Sequence, residues 1–319
     1  MPFGRGTPPL TEANLPDQSG KVFIVTGATS GYGLILTTIL YQRNAKVYLA
    51  ARNTDKTAKV IADIQKEHPN SQGSLHSLHL DLSDLTTIKK SAEDFLSKES
   101  QLHVLWNNAG VMIPPQGSKT KQGYELQLGT NNIGPHFFTK LLYPTLAATA
   151  AQAPANTVRV VWVSSDAISR APKGVIDFNN MDYHRDEGAW QKYGRSKAGT
   201  ILQAVELARR SKDDGVVSIS LDPGIAMTDI QRSMNPVMTA VVKLIAQKPA
   251  VGAYTQLFAG LHPDVKIGEG LTSWEEVNPT NASAVNPPGK KCHVRRDLLD
   301  ADLARKYWDW NEEQIKPYL

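Results

Sequence analysis

Short apolar runs alternate with segments of helical periodicity along most of the chain, and this alternation constrains the fold more than any other feature. Six runs have the length and composition of buried strands: KVFIVTG (21–27), AKVYLAAR (45–52), SLHSLHLDL (74–82), LHVLWNNAG (102–110), TVRVVWVSS (157–165) and GVVSISLDPG (215–224). Strands that are apolar on both faces and separated by helices predict a parallel sheet covered on both sides. Because crossovers between parallel strands are right-handed, we expect a doubly wound α/β fold with about seven strands and helices on both faces.

The composition of the chain and the absence of linker-like segments limit the number of domains it can form. The chain has 319 residues, of which 41% are hydrophobic and 21% charged, so it can bury a sizeable core. No repeat or low-complexity linker divides it, and we predict a single domain over 21–319. Residues 1–20 are polar and contain proline and glycine, so we expect them to form an irregular N-terminal arm.

Charge and cysteine content exclude several classes of function. The net charge is +4, and basic and acidic residues are interspersed without a basic stripe, so nucleic-acid binding is not expected. Cys292 is the single cysteine, which excludes an internal disulfide and favours a reducing compartment; it has no partner at metal-ligand spacing. No signal peptide is apparent and no apolar run approaches the ~20 residues of a membrane span. We therefore predict a cytoplasmic protein without a metal site or transmembrane segment.

A glycine-rich loop, VTGATSGYGL, follows the first predicted strand and carries Gly27, Gly31 and Gly33. The carboxyl end of that strand faces the ligand crevice of such a sheet, and the following helix N-terminus offers unpaired N–H groups to a phosphate. Glycines also permit a tight turn and close approach of the backbone. A plain helix-capping loop, with Thr29 or Ser30 as the cap, is the alternative, but the strand–loop–helix context favours nucleotide binding.

The second predicted strand ends in YLAARN, which contains no acid. An acidic side chain usually binds the ribose at this place when the cofactor lacks a 2′-phosphate. Here Ala50 and Ala51 are uncharged and Arg52 follows, and an arginine fork can bind a phosphate. We therefore predict that NADP(H) is preferred over NAD(H), with Arg52 as the main determinant. The alternative is that Arg52 is a solvated charge at the strand end.

The stretch WQKYGRSKAGT places Tyr193 and Lys197 four residues apart, on one face of a predicted helix. Taken alone, the two residues could be an ordinary polar pair on a surface helix. Neither side chain titrates near neutral pH unaided, so a chemical role needs other groups around them.

With these pieces in place, the chain resembles the short-chain dehydrogenase/reductase family from about residue 21 to 270. The resemblance rests on landmarks that occur in order: TGATSGYG (26–33), LDL (80–82), NNAG (107–110), TNNIG (130–134), VSS (163–165), YGRSK (193–197) and DPG (222–224). The stretches VYLAARN, TNNIGPHFFTKLL and RVVWVSS resemble the retinol-dehydrogenase-like branch and fungal biosynthetic reductases. The resemblance implies a Rossmann fold and nicotinamide-dependent oxidoreduction.

The family pattern implies a role for residues at each landmark. In that pattern the cofactor would be held by Gly27, Thr29, Ser30, Gly31, Tyr32, Gly33, Arg52, Asp81, Leu82, Asn108, Ala109, Gly110, Tyr193, Lys197, Pro223, Ile225 and Thr228. Asp81 would hydrogen-bond the adenine ring, Pro223 would hold the nicotinamide face, and Thr228 would reach the nicotinamide amide or a phosphate.

Four residues match the family's catalytic set: Asn131, Ser165, Tyr193 and Lys197. Asn132 is the second choice for the asparagine, and Ser164 for the serine, because alternation along a strand would point the two serines in opposite directions. Tyr193 would exchange a proton with the substrate oxygen, and Lys197 would lower the pKa of Tyr193 and hold the nicotinamide ribose. Ser165 would stabilise developing charge on the substrate oxygen, and Asn131 would anchor a water that passes protons to Lys197.

The implied reaction is hydride transfer between nicotinamide and a carbonyl or secondary alcohol of a small, rather apolar molecule. A non-catalytic cofactor-binding sensor and a biosynthetic isomerase or cyclase on the same fold are the alternatives. Many relatives dimerise through the two long helices at about 123–148 and 189–211, whereas a long insert before the tyrosine accompanies monomers in some. Homodimer and monomer therefore both stay open.

Other expectations concern the substrate side. Pro135 lies inside a predicted helix, where it would mark a kink. The insert between Ser165 and Tyr193, with Phe178 and Tyr183, is expected to form one wall of the substrate mouth. Residues 225–250 resemble the family's substrate lid, and residues 275–319 are expected to form a C-terminal extension that ends in a helix over LARKYWDWNEEQI.

Overall fold

Seven parallel strands form one sheet in the order β3-β2-β1-β4-β5-β6-β7. The structure, a computed structural model, describes residues 8–228, 230, 243, 246–267, 284–285 and 296–319. The strands are β1 Val22–Thr26, β2 Lys46–Ala51, β3 Ser74–His79, β4 Val104–Asn107, β5 Arg159–Val163, β6 Val217–Leu221 and β7 Ala284–Val285. The helices are α1 Gly31–Gln42, α2 Thr54–Glu67, α3 Leu85–Leu96, α4 Leu126–Leu128, α5 Gly134–Ala150, α6 Ala189–Arg210, α7 Pro249–Leu261 and α8 Ala301–Ile315.

The sheet is covered on both faces, as the apolar strands predict. All five residues of β1, of β5 and of β6 are buried. Side chains of α3, α5, α6 and α8 complete the core on one face of the sheet, and those of α1, α2 and α7 complete it on the other. Leu10 and Leu15 of the irregular N-terminal segment pack into this second core. The predicted doubly wound α/β fold is confirmed.

The chain reverses its winding between β1 and β4, which are neighbours in the sheet. β2 and β3 continue the sheet from one side of β1, and β5 and β6 continue it from β4. Ligands of open α/β sheets bind outside the carboxyl ends of the strands at such a switch point. The loops that follow β1, β2, β4, β5 and β6 therefore meet at one edge.

A buried arginine fixes α7 against the sheet. The Arg159 guanidinium on β5 donates 2.9 Å to the carbonyl of Ala259 and 2.8 Å to that of His262, at the carboxyl end of α7. A cation at this end of a helix satisfies carbonyls that have no partner within the helix. Burial lowers the pKa of Arg159 to about 10, so it stays charged. α7 is thereby held beside α1, the helix that follows the glycine loop.

Asn131 lies in a π-helical turn, Gly129–Ile133, between α4 and α5. The N–H of Gly134 donates to the carbonyl of Gly129, five residues earlier. The predicted helix around Pro135 is present, but its hydrogen-bond register changes in this π turn, directly before Pro135 in the first turn of α5. Proline is tolerated in a first helical turn, where its missing N–H removes no bond that the helix needs.

The predicted lid and C-terminal extension lie partly outside the described residues. Of the lid at 225–250, residues 229, 231–242 and 244–245 are not described, and of the extension at 275–319, residues 275–283 and 286–295 are not. The predicted final helix is present as α8, which packs against α5 and α6.

Candidate active site

The loops at the carboxyl edge of the sheet surround a cleft of about 440 Å³. It is lined by sequence-predicted residues Gly27, Thr29, Ser30, Gly31, Tyr32, Arg52, Asp81, Leu82, Asn108, Ala109, Gly110, Ser165, Tyr193, Lys197, Pro223, Ile225 and Thr228. Two predicted residues, Gly33 and Asn131, do not line it. The fold thus gathers residues from the loops after β1 to β6, and from α6, into one concave surface.

The glycine loop is shaped by positions where a side chain would not fit. Gly27 and Gly31 have φ angles of +68° and +56°, in the left-handed region that glycine adopts without steric cost. A Cβ on Gly33 would lie 2.6 Å from the Asn108 side-chain nitrogen and 2.6 Å from the Gly27 carbonyl oxygen. The absence of a side chain on Gly33 therefore lets the first turn of α1 pack closely against the loop.

Thr26 and Asn108, at the ends of β1 and β4, lock the two sides of the switch point together. The backbone N–H groups of Asn108 and Ala109 donate to Thr26 Oγ1 at 3.0 and 2.9 Å, and Asn108 Nδ2 donates to the Thr26 carbonyl at 2.8 Å. Gln256 of α7 donates to Asn108 Oδ1 at 2.9 Å. The side-chain amide of Asn108 therefore holds the end of β1 and helix α7 beside the loop after β4. Sequence analysis singled out neither Thr26 nor Gln256, because their partners are distant in the chain.

Tyr32 ties the glycine loop to the loop after β6. Its hydroxyl donates to the Gly224 carbonyl at 3.0 Å, and Gly252 of α7 lies so close to the ring that a Cβ would be 2.3 Å from it. Thr228 lies against Gly31, 3.1 Å from where a Cβ would be. The glycine loop and the loop after β6 therefore form one packed unit.

Tyr193 lies at the floor of the cleft and is 5% exposed. Burial raises the pKa of its phenol, and the hydrogen bond with Ser165 acts in the opposite direction. The phenol is therefore protonated at neutral pH. Ser164 is buried and also lines the cleft, but its hydroxyl donates to the Lys197 carbonyl at 2.8 Å. The two neighbouring serines therefore have different partners.

Lys197 is buried one helical turn beyond Tyr193, with its Nζ 5.8 Å from the centroid of the tyrosine ring. The Nζ donates to the Val163 carbonyl at the end of β5, at 2.8 Å. Burial lowers the pKa of Lys197 to about 8, against an opposing contribution from Asp222. The ammonium is therefore close to its titration range. The predicted lowering of the Tyr193 pKa is not seen, because burial of the phenol dominates.

Asn131 is buried and does not itself line the cleft. Its Oδ1 accepts from the Val111 N–H at 2.8 Å, and its Nδ2 donates to the Val111 carbonyl and to Ser196 Oγ, both at 3.0 Å. Ser196 in turn donates to the Tyr193 carbonyl at 2.8 Å. Through these hydrogen bonds, the side-chain amide of Asn131 joins the loop after β4 to α6. Asn132, the second choice, donates to the Ser196 carbonyl and faces α6.

Basic residues gather where the cleft meets the end of β2. Arg52, Asn53 and Lys56 line this part together, and Asn53 caps α2 by accepting from the Lys56 N–H at 2.8 Å. Asp81 lies nearby and accepts from the N–H and hydroxyl of Ser83 at 2.9 and 2.6 Å. Lys56 was not anticipated from the sequence; its position one turn into α2 is the signal that could have identified it.

The other end of the cleft is formed by Asp166, Ala167, Arg170 and Trp190. The expectation that Phe178 and Tyr183 form a wall of this mouth is wrong. Phe178 packs beneath Lys306 of α8, with Nζ 4.2 Å from the ring centroid, and Tyr183 packs against the core beneath Lys192. Only the two ends of the insert line the cleft, because its middle packs against α6 and α8.

The residues present fit a dinucleotide. Two glycines with left-handed backbone and a third without room for a Cβ form the cradle that a pyrophosphate needs at a helix N-terminus. Arg52 supplies positive charge at one end of the cleft, and Tyr193 supplies a protonated hydroxyl at its floor. Among the residues that the structure describes, no group of three His, Cys, Asp or Glu side chains could hold a metal ion.

Comparisons with known proteins agree on the family. A family model described as short chain dehydrogenase matches residues 21–238. The chain is 66% identical to the short-chain dehydrogenase/reductase pkfC of Emericella nidulans, with all of both chains covered. It is 46% identical to a short-chain dehydrogenase/reductase of Phomopsis amygdali, over 98% of this chain and 94% of that one.

Solved structures show the same fold. An uncharacterised protein of Mycobacterium paratuberculosis superposes with a TM-score of 0.71 at 26% identity, covering 96% of this chain and 97% of that one. The NADP active-site complex of RhlG from Pseudomonas aeruginosa has a TM-score of 0.61 at 20% identity, with 86% and 96% covered. No helix in the described part of the chain has the length and apolar character needed to span a membrane.

Proposed function

The chain belongs to the short-chain dehydrogenase/reductase family, and from this premise we propose that it is an NADP(H)-dependent oxidoreductase acting on a carbonyl or secondary alcohol of a small, largely apolar molecule. The observation that carries the proposal is the meeting of Ser165, Tyr193 and Lys197 at the floor of a cleft whose other wall is the glycine loop. We also propose a role in secondary metabolism, which the resemblance to fungal biosynthetic reductases supports.

The bound dinucleotide would supply or accept the hydride. In the direction of reduction, Tyr193 donates its proton to the carbonyl oxygen as that oxygen gains negative charge. Burial keeps the phenol protonated until then. Ser165, hydrogen-bonded with Tyr193, orients the phenol and donates to the same oxygen. The Lys197 ammonium favours the phenolate that remains. Asn131 is a positioning residue that holds α6 through Ser196.

The preference for NADP(H) is proposed from the charge at the end of β2. Arg52 and Lys56 both line the cleft there, and no acid replaces them at the ribose position between Ala50 and Asn53. An arginine fork binds a phosphate through two parallel hydrogen bonds. RhlG, which shares the fold, was solved as an NADP complex.

The decisive test is Tyr193→Phe, assayed by nicotinamide absorbance against a panel of carbonyl compounds. We expect the substitution to remove at least 99% of the rate while NADPH affinity changes little, because general acid catalysis contributes about 10²–10⁴-fold. Tyr143→Phe, which removes an exposed hydroxyl bound to Asp214, is the matched control and should keep the parental rate.

The outcomes separate the competing functions. If Tyr193→Phe reduces carbonyls as fast as the parent, the assigned mechanism is wrong. A parent chain that binds NADPH and converts none of the panel would favour a sensor. Product formed from a candidate substrate without net consumption of NADPH would favour an isomerase or cyclase.

A further inference from the structure

The mouth of the cleft contains a stacked arginine–tryptophan pair. The guanidinium carbon of Arg170 lies 4.3 Å from the centroid of the Trp190 ring. Arg170 ends the 3₁₀ helix Asp166–Arg170, which follows Ser165 directly, and Trp190 is the second residue of α6. Both side chains line the cleft. The pair is therefore anchored to the same two elements that carry Ser165 and Tyr193.

Trp190 connects the pair to the reaction centre. Its ring is 6.4 Å from that of Tyr193, centroid to centroid, with an interplanar angle of 76°. The guanidinium therefore lies at most about 11 Å from the Tyr193 ring, since the two separations of 6.4 and 4.3 Å bound the total. A molecule whose carbonyl is at Tyr193 and whose body extends over this end of the cleft would reach Arg170 with its far end.

The hydrogen-bonding edge of Arg170 is unused within the described part of the chain. Arg185, Arg195, Arg209, Arg210 and Arg305 each form an ion pair with an acidic side chain. Arg170 is exposed and forms none there, and its guanidinium carbon lies over the Trp190 ring. The N–H groups point outward in the plane of the group, in the geometry that matches a carboxylate. Stacking on tryptophan fixes the plane at little cost to those donors.

Asp166 lines the same end of the cleft, and its charge must be weighed against that of Arg170. Residues four apart in a 3₁₀ helix project in directions about 120° apart, because three residues complete a turn. The structure accordingly has no ion pair within 4.0 Å between Asp166 and Arg170. Arg170 therefore keeps its charge available toward the cleft.

The apolar residues around the pair define the rest of the ligand. Val111, Met112, Ala167 and Ile230 line the cleft together with the ring of Trp190. A flat, apolar body fits such a surface, whereas a hydrophilic one would lose hydration without compensation.

We propose that Arg170 is a specificity residue for an anionic substrate: a planar, largely apolar carbonyl compound with a carboxylate at the end remote from the carbonyl. The inference rests on the proposed oxidoreductase function and names the substrate class of that same site. Arg170 binds the carboxylate through its N–H edge, Trp190 holds the guanidinium plane, and the carbonyl is thereby directed to Tyr193.

The test compares aromatic aldehydes that carry a para carboxylate with their methyl esters, in a series of increasing length: formylbenzoate, formylcinnamate and formylbiphenyl carboxylate. In the parent chain we expect kcat/KM for at least one acid to exceed that of its ester by about tenfold or more, as a charge-assisted hydrogen bond predicts. In Arg170→Gln this ratio should fall to about one, and in Arg170→Glu it should drop below one. Arg305→Gln, on the outer side of α8, is the matched control and should leave the ratio unchanged.

Each other outcome is decisive. If the parent reduces acids and esters equally, or if Arg170→Gln keeps the preference, this inference is overturned while the proposed function stands. If Arg170→Gln instead weakens NADPH binding tenfold, the residue serves the cofactor and the inference is also wrong. If the parent reduces no aldehyde of either kind although it binds NADPH, the proposed function itself fails. The melting temperature of each variant shows that it is folded.

Discussion

Single charged residues decide most of the chemistry that this cleft can perform. Arg52 follows β2 and Arg170 follows β5, and β1 and β4 separate those strands in the sheet. Positive charge therefore stands at both ends of the cleft, while a buried lysine lies between them. The two arginines would bind different anions, and their substitutions should have separable effects.

Arg52→Gln should weaken NADPH binding about tenfold to a hundredfold while leaving NADH binding nearly unchanged. The reason is the loss of charge-assisted hydrogen bonds to a 2′-phosphate, worth about 1.5–3 kcal/mol. Fluorescence titration of both cofactors measures the change. Equal losses for NADPH and NADH would contradict the assignment, and Arg305→Gln should alter neither affinity.

Lys197 should make reduction pH-dependent on the alkaline side. Burial lowers its pKa to about 8, so the ammonium form predominates below that pH and is lost above it. We expect kcat/KM for NADPH, which reports ionisations of the free enzyme, to fall as pH rises through about 8. In Lys197→Arg any residual activity should persist to higher pH, because a guanidinium keeps its proton. A profile that is flat to pH 10 in the parent would refute this role.

For single residues, the sequence indicated which side chains belong to the candidate site better than it indicated what each of them contacts. Ser165 was preferred to Ser164 because strand alternation is a local property. The amide of Asn131 could not be placed behind the cleft, since its partners Val111 and Ser196 come from segments distant in the chain. The same limit applies to Asn108, whose side chain serves Thr26 and Gln256.

Among the secondary-structure elements, the junction of β1 and α1 is the most constrained by close packing. Gly33→Ala should weaken NADPH binding at least tenfold and lower the melting temperature, because the new Cβ would lie 2.6 Å from the Gly27 carbonyl oxygen. Overpacking of this kind costs about 1–3 kcal/mol. Calorimetry and cofactor titration measure the two effects.

The matched control for that substitution is Gly188→Ala, at the N-cap of α6. A Cβ there would be 3.5 Å from Gln191 Oε1, an ordinary contact. We expect at most a small loss of stability, from the weaker N-cap preference of alanine, and an unchanged affinity for NADPH. If both alanine variants bind NADPH like the parent, close packing at Gly33 is not what shapes the cradle.

Elements were predictable where one signal extended along the segment: a continuous apolar run in β1 and helical periodicity in α6. The segment around Asn131 shows why prediction fails elsewhere. Gly129–Ile133 lies within a longer helical pattern of the sequence, and a π turn differs from an α turn only in its hydrogen-bond register. Pro135 was the local sign of this interruption, and its meaning depends on which turn of a helix it occupies.

For the whole molecule, α8 determines which surfaces remain for association. Tyr307 of α8 is buried against α6 in a cluster that, among the described residues, contains none from a strand. Trp308 of α8 is buried against α5 in the core that α5 shares with the sheet. α8 thus packs on α5 and α6, the two long helices through which the family resemblance implies that many relatives dimerise. Sequence predicted α8 but not its docking site, since helical periodicity does not say which neighbour an apolar face meets.

We therefore expect the protein to be a monomer. Size-exclusion chromatography with light scattering should give a mass near 34.9 kDa across the micromolar range. A stable mass of twice that value would show that another surface, or a displaced α8, forms a dimer.

The π turn also has a consequence for how the chain tolerates change in length. A π turn holds one more residue than an α turn, so the helix through Gly129–Ile133 contains one surplus residue. Deleting any residue there would restore a regular helix, yet it would rotate everything on one side by about 100° relative to the other. Asn131 would then lose its alignment with Ser196 although the fold had gained a better helix. The extra residue in this turn therefore sets the rotation of α5 relative to α4, and the alignment of Asn131 with Ser196 depends on it.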